Sequence, residues 1–230
     1  MLTFEDFGTE LLTFELRFDE AYHIWDKAGA LWSYMHSIAP DLRPAAVQPN
    51  QQTLASKNMQ LTLELTQLRI NVRGPKALEN LLEFGDHFYL KATELLRLSS
   101  FTRLGYRSIR TKIFASETEA LVATQPFAPK MTLPKLGQSA KLVGFTVSTR
   151  TEGDTAGVSA ALKLEKREVN ISAPWDAMPF MDDVKLKEFV MFLDCDYFTL
   201  GETDQEALNA ELWIAQADRR TKQFWAGVIG

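Results

Sequence analysis

Residues 58–74 read NMQLTLELTQLRINVRG. Met59, Leu61, Leu63 and Leu65 fall at odd positions, and Leu68, Ile70 and Val72 at even ones. Such alternation marks a strand with one buried face. A one-residue slip reverses the faces, so the phase change at Thr66–Gln67 requires a tight turn or a bulge. We read it as a hairpin, although the turn lacks the usual Asn-Gly or Gly-Gly pair. A hairpin forces antiparallel pairing, which makes the class α+β rather than doubly wound α/β.

Other segments agree. ELLTFELRFD (10–19) sets Leu12, Phe14, Leu16 and Phe18 on one face and Thr13, Glu15 and Arg17 on the other. FTRLGYRSIRTKIF (101–114) and KEFVMFLDCDYFT (187–199) read as further strands, the latter with an apolar face of Phe189, Met191, Leu193, Cys195 and Tyr197. KLVGFTVSTRT and VSAALKLEKREVNIS flank the turn EGDTAG (152–157), a second hairpin.

Three helical stripes stand beside these strands. Ile24, Ala28, Leu31, Met35 and Ile38 form one; Leu78, Leu81, Gly85, Phe88, Ala92 and Leu95 another. The third is Ala207, Ala210, Ile214, Ala217, Thr221, Phe224 and Val228. Steps of three and four place each set on one side of a helix. The expected helices run over about 20–39, from Gly74-Pro75 to about 98, and from Thr203, where Glu206 completes a capping box. A short helix is expected over 116–124. The expected fold is therefore antiparallel sheet built from hairpins, covered on one side by three long amphipathic helices.

The proline-bearing stretch 40–56 reads as a surface loop, and 125–140, with Pro126, Pro129, Pro134 and Gly137, as an exposed linker. These mark an N-terminal α+β half (1–124) and a C-terminal α+β half (141–230), with one continuous core as the alternative.

Composition bounds the function. At 46% hydrophobic and 24% charged, the chain can bury a core without disulfides or metal. A net charge of −5 gives no global attraction for nucleic acid or anionic membrane. No apolar run approaches the roughly 20 residues that span a bilayer. The start, MLTFEDFGTELL, carries acids and no basic region, unlike a secretory signal. Cys195 is the only cysteine. A reducing, cytoplasmic setting is expected.

Two constellations carry chemistry. Asp194 and Asp196, two apart on a strand, point the same way with Cα atoms roughly 6–7 Å apart. Paired carboxylates can hold Mg²⁺ or share acid and base roles; equally, they can sit on a wet face paired to basic residues. Arg97, Arg103, Arg107, Arg110 and Lys112, with Phe101 and Tyr106 between them, mix cations and aromatics as nucleic-acid surfaces do. Arg103 and Arg107 share one strand face, Arg110 and Lys112 the other. Ion pairing with Asp194, Asp196, Glu165 or Glu168 is the alternative.

Trp213 and Trp225 read as a partner surface or as part of the buried face of the last helix. His23, His36 and His87 lack zinc-ligand spacing, and Cys195 reads as a small buried hydrophobe. GxSxG, Walker A and GxGxxG motifs are absent, and no cofactor is expected.

Four runs occur in an order that resembles a known family: MQLTLELTQLRINVRG (59–74), FTRLGYRSIRTKIF (101–114), FVMFLDCDYF (189–198) and ALNAELWIAQADRRTKQFWAGVI (207–229). The family is a sporadically distributed set of uncharacterised prokaryotic proteins of about this length. Its members pair Asn with Trp at the end of an early strand, where this chain has Ile70-Asn71-Val72. Ser108 stands where the family carries an aromatic or Asn-bearing segment. The resemblance implies a cytoplasmic bacterial or archaeal α+β protein, fits a component of a mobile or accessory gene cassette, and implies no activity.

Three functions are thus expected in descending order. The first is a non-enzymatic protein that binds another protein or itself. The second is a nucleic-acid-associated factor using residues 97–112. The third is a metal-dependent enzyme built on Asp194 and Asp196.

Overall fold

The computed structural model describes residues 2–127, 143–150, 155–171 and 184–229. The strands in chain order are β1 (Gly8–Arg17), β2 (Arg43–Gln48), β3 (Gln51–Ala55), β4 (Met59–Glu64), β5 (Gln67–Val72), β6 (Ser100–Phe101), β7 (Arg103–Phe114), β8 (Gly144–Arg150), β9 (Ala156–Ile171), β10 (Val184–Thr199) and β11 (Thr203–Asp204). Among the described residues, nine of them form one sheet in the order β2-β3-β4-β5-β1-β7-β10-β9-β8, every pairing antiparallel. β6 and β11 make a separate small ribbon. With four α-helices among the described residues, α1 (Ile24–Ile38), α2 (Ala77–Leu96), α3 (Glu117–Thr124) and α4 (Ala210–Ile229), the class is α+β.

The β4–β5 phase change is a hairpin. Glu64 pairs with Gln67, leaving only Leu65 and Thr66 between the strands. Their carbonyls accept the Ala21 N–H (2.8 Å) and the Phe18 N–H (3.0 Å). Satisfied from outside, this turn holds its shape without Asn-Gly. β7 and β10 pair along Phe189–Phe198, joining the strands before residue 124 to those after 141 in one sheet. Residues 128–140 of the expected linker, 152–154 of the second hairpin turn and 172–183 lie outside the described residues.

Two expectations need correction. Residues 43–55 are the β2–β3 hairpin rather than loop, with Thr53 and Leu54 buried. β2 lies at the sheet edge, where proline is tolerated, and the register shifts between Pro44 and Ala46. The last helix starts at Ala210, not Thr203. Thr203 pairs with Phe101, and the Asn209 side chain caps the helix by accepting the Leu212 N–H (2.9 Å).

Most of each stripe is buried, although Ala207 of the third is exposed and precedes the helix. Ile24, Ala28, Leu31 and Met35 on α1, Leu81, Gly85, Phe88 and Ala92 on α2, and Ala210, Ile214, Ala217 and Thr221 on α4 are all buried. Each fully buried large side chain contributes about 1.5–3 kcal/mol. α2 packs on β1 and β5, α4 on β7 and β10, and α1 beside α2 and on β4. Gly85 permits the close approach of α2 to α4: a Cβ there would lie 3.3 Å from Ile214 Cδ1. No described helix is long and apolar enough to cross a membrane.

Candidate functional site

With Leu12, Phe14 and Leu16 in the core, alternation turns Thr13, Glu15 and Arg17 to the opposite face of β1. Strand register gathers charge around them. Arg69 on β5 and Gly105 on β7 flank Glu15, and Asn71 and Arg107 flank Thr13. Asp196 on β10 lies opposite Arg107. The result is a recess of about 420 Å³ whose lining includes Thr13, Glu15, Arg17, Arg69, Arg103 and Arg107.

Glu15 is the hub. Its carboxylate accepts from Arg17 Nε (2.7 Å), Arg69 Nη2 (2.9 Å) and Arg103 Nη1 (2.7 Å). Burial pushes the Glu15 carboxyl up, but the Arg17 and Arg69 guanidiniums outweigh burial and hold its pKa below the ordinary value. Arg103 reaches on to Asp196 Oδ2 (2.6 Å). There burial wins, and the Asp196 pKa is raised despite Arg103. Arg107 grips Asp194 through Nε (2.8 Å) and Nη2 (2.5 Å), a bidentate pair that raises the Arg107 pKa against its burial.

Two glycines shape this arrangement. The Arg103 guanidinium lies 4.8 Å from the Phe198 ring centre. That ring crosses Gly157, where a Cβ would stand 2.6 Å from Phe198 Cζ. At Gly105 a Cβ would stand 3.0 Å from Arg103 Nη1. The bare backbone at both positions lets the ring and the guanidinium lie flat on the sheet.

The expected site residues divide between several places. Arg103, Arg107, Asp194 and Asp196 converge on this face. Arg110 points to the other side of β7, 4.5 Å from the Phe4 ring centre, where burial lowers its pKa although Asp218 opposes it. Arg110 Nε is buried with no partner among the described residues. Lys112 binds Asp6 at 3.2 Å. Arg97 ends α2 in the left-handed conformation, φ 54°. Arg103 and Arg107 therefore meet carboxylates on the sheet face, and the five predicted cations do not line up as one basic stripe.

Trp213 is half-buried against Phe14 and Tyr197, and Trp225 is 1% exposed. Burial pushes the Cys195 thiol up to about 12, with Asp196 and Asp194 adding to the effect, so no thiolate nucleophile forms near neutral pH. Among the described residues no three His, Cys, Asp or Glu side chains are placed to hold a metal ion. Glu168 belongs to β9, but its side chain is outside the described residues.

Glu15, Arg17, Arg69, Thr13 and Asn71 were not singled out from sequence. The alternation of 10–19 puts Glu15 and Arg17 on one face, but only strand order brings Arg69, Arg103 and Asp196 to them. Chemically, every carboxylate here already accepts from a guanidinium, so a general base or metal ligand would first have to be released. The half-exposed guanidiniums of Arg17 and Arg107 are suited to binding. No family model matches the chain, and no curated protein matches it.

Proposed function

We propose that this chain is a non-enzymatic interaction protein that docks another protein, or a second copy of itself, on the polar face of its sheet. In this reading α1, α2 and α4 together cover the apolar side and leave the Glu15 face free. One observation carries it: six charged side chains line a recess, Asp194 pairs with Arg107 beside it, and all three carboxylates are neutralised by arginine. Such a surface offers ordered donors for recognition and no unpaired reactive group. Kinship with the prokaryotic family and a cytoplasmic location belong to the same proposal and add no activity.

Light scattering after size-exclusion chromatography tests it. The native particle should exceed the 26.0 kDa of one chain. Arg17→Glu with Arg107→Glu should return it to the single-chain mass without unfolding. A wild-type protein that stays at one-chain mass, with nothing bound, contradicts the reading. If the face held nucleic acid instead, retention on DNA would fall steeply with salt and be lost in the same variant. If Asp194 and Asp196 held Mg²⁺, titration would release heat.

A further inference from the structure

The charge balance of the recess says what part of a partner it takes. Arg17, Arg69, Arg103 and Arg107 line the recess with Glu15 and Asp196, and Asp194, paired to Arg107 just outside the lining, brings the balance of the array to one positive charge. The unused donors are also known. A guanidinium carries five N–H groups. Arg17 uses only Nε, on Glu15, and neither of its Nη atoms has a hydrogen-bond partner among the described residues. Arg107 uses Nε and Nη2, which leaves Nη1. These are the two most exposed members of the set, with side chains 51% and 50% exposed.

From this we infer that the recess receives one carboxylate of the docking partner, the Asp or Glu side chain of an acidic segment, as its monoanionic ligand. The inference rests on the docking reading above and names the partner's chemistry. A planar carboxylate matches the fork of N–H groups that a guanidinium presents. A phosphate dianion would exceed the single positive charge. A cation would have to displace arginine from Glu15, Asp194 or Asp196. Arg17 and Arg107 are thereby the capturing residues, while Glu15 and Arg103 hold the array in place. The Phe198 ring beneath Arg103 and the bare backbone at Gly105 keep that array flat.

Calorimetric titration of the full chain tests the inference with three probes: the capped peptide Gly-Ser-Glu-Glu-Ser-Gly, its Gln-Gln counterpart, and inorganic phosphate. The Glu peptide should bind, weakening with salt, and at least about tenfold more tightly than the Gln peptide or phosphate. Arg17→Gln should weaken it about tenfold while the protein still unfolds cooperatively, because Arg17 is half-exposed and Glu15 keeps Arg69 and Arg103. Asp194→Asn leaves two positive charges and should raise the affinity for phosphate. The inference is overturned if phosphate matches or exceeds the Glu peptide on the wild type, if no probe binds, or if Arg17→Gln changes nothing. The docking reading fails separately. If particle mass responds to the Arg17→Glu, Arg107→Glu pair while the Glu peptide does not bind, docking stands and the carboxylate ligand is wrong. If mass does not respond, docking itself is wrong.

Discussion

Glu15 carries three guanidiniums on a side chain only 10% exposed. Removing its charge leaves those arginines facing one another, a loss that is large for a buried pair and reduced here because Arg17 and Arg69 are partly solvated. Glu15→Gln should therefore destabilise the fold by about 2 kcal/mol in urea unfolding. The pH dependence follows from sign. A carboxyl with a depressed folded pKa contributes stability above its unfolded value, near 4.5, and loses it as pH falls through the lower folded value. Asp196 runs the other way: its folded pKa is raised, so its ionised form weighs against the fold at neutral pH and protonation relieves that as pH falls. Through Glu15 the wild type should lose stability as pH falls below about 4.5, and Glu15→Gln should remove that contribution. Gly157→Ala forces the Phe198 ring off its seat and should cost about 1–3 kcal/mol. Adding Phe198→Leu should recover part of that loss in thermal melts. The facing of Glu15, Arg17, Asp194 and Asp196 was legible from alternation alone. Their meeting was not, because register between strands 88 or 93 residues apart leaves no local trace.

At the scale of elements, the stripes of α1, α2 and α4 were readable because three-and-four spacing has no other cheap explanation. Boundaries were less so. Thr203 and Glu206 have the spacing of a capping box, but Thr203 is taken by pairing with Phe101. Asn209 is the cap that the structure uses. Asn209→Ala should cost about 1 kcal/mol of stability in urea unfolding, while Asn209→Asp, favoured by the helix dipole, should be near neutral. If Asn209→Ala has no effect, the helix start is misplaced. The β2–β3 hairpin escaped the sequence reading because three prolines in 40–56 argue against strand. That argument holds for central strands and fails at an edge, where Pro44 lies.

Across the whole molecule, strand order determines what the surface can do. β1, central in a sheet that runs from β2 to β8, brings β5 and β7 against itself, and β10 follows β7. This order places arginines of β1, β5 and β7 beside acids of β1 and β10. Helices and hairpins could be read from sequence; the order could not, since nothing in the β1 pattern specifies which later strands flank it. The docking claim is tested most directly by carbodiimide labelling of Asp194 and Asp196, whose side chains are 20% and 30% exposed. In the native assembly their labelling should be slow, and it should accelerate when dilution of the wild type releases the single chain. Equal labelling rates in assembly and single chain would contradict the account.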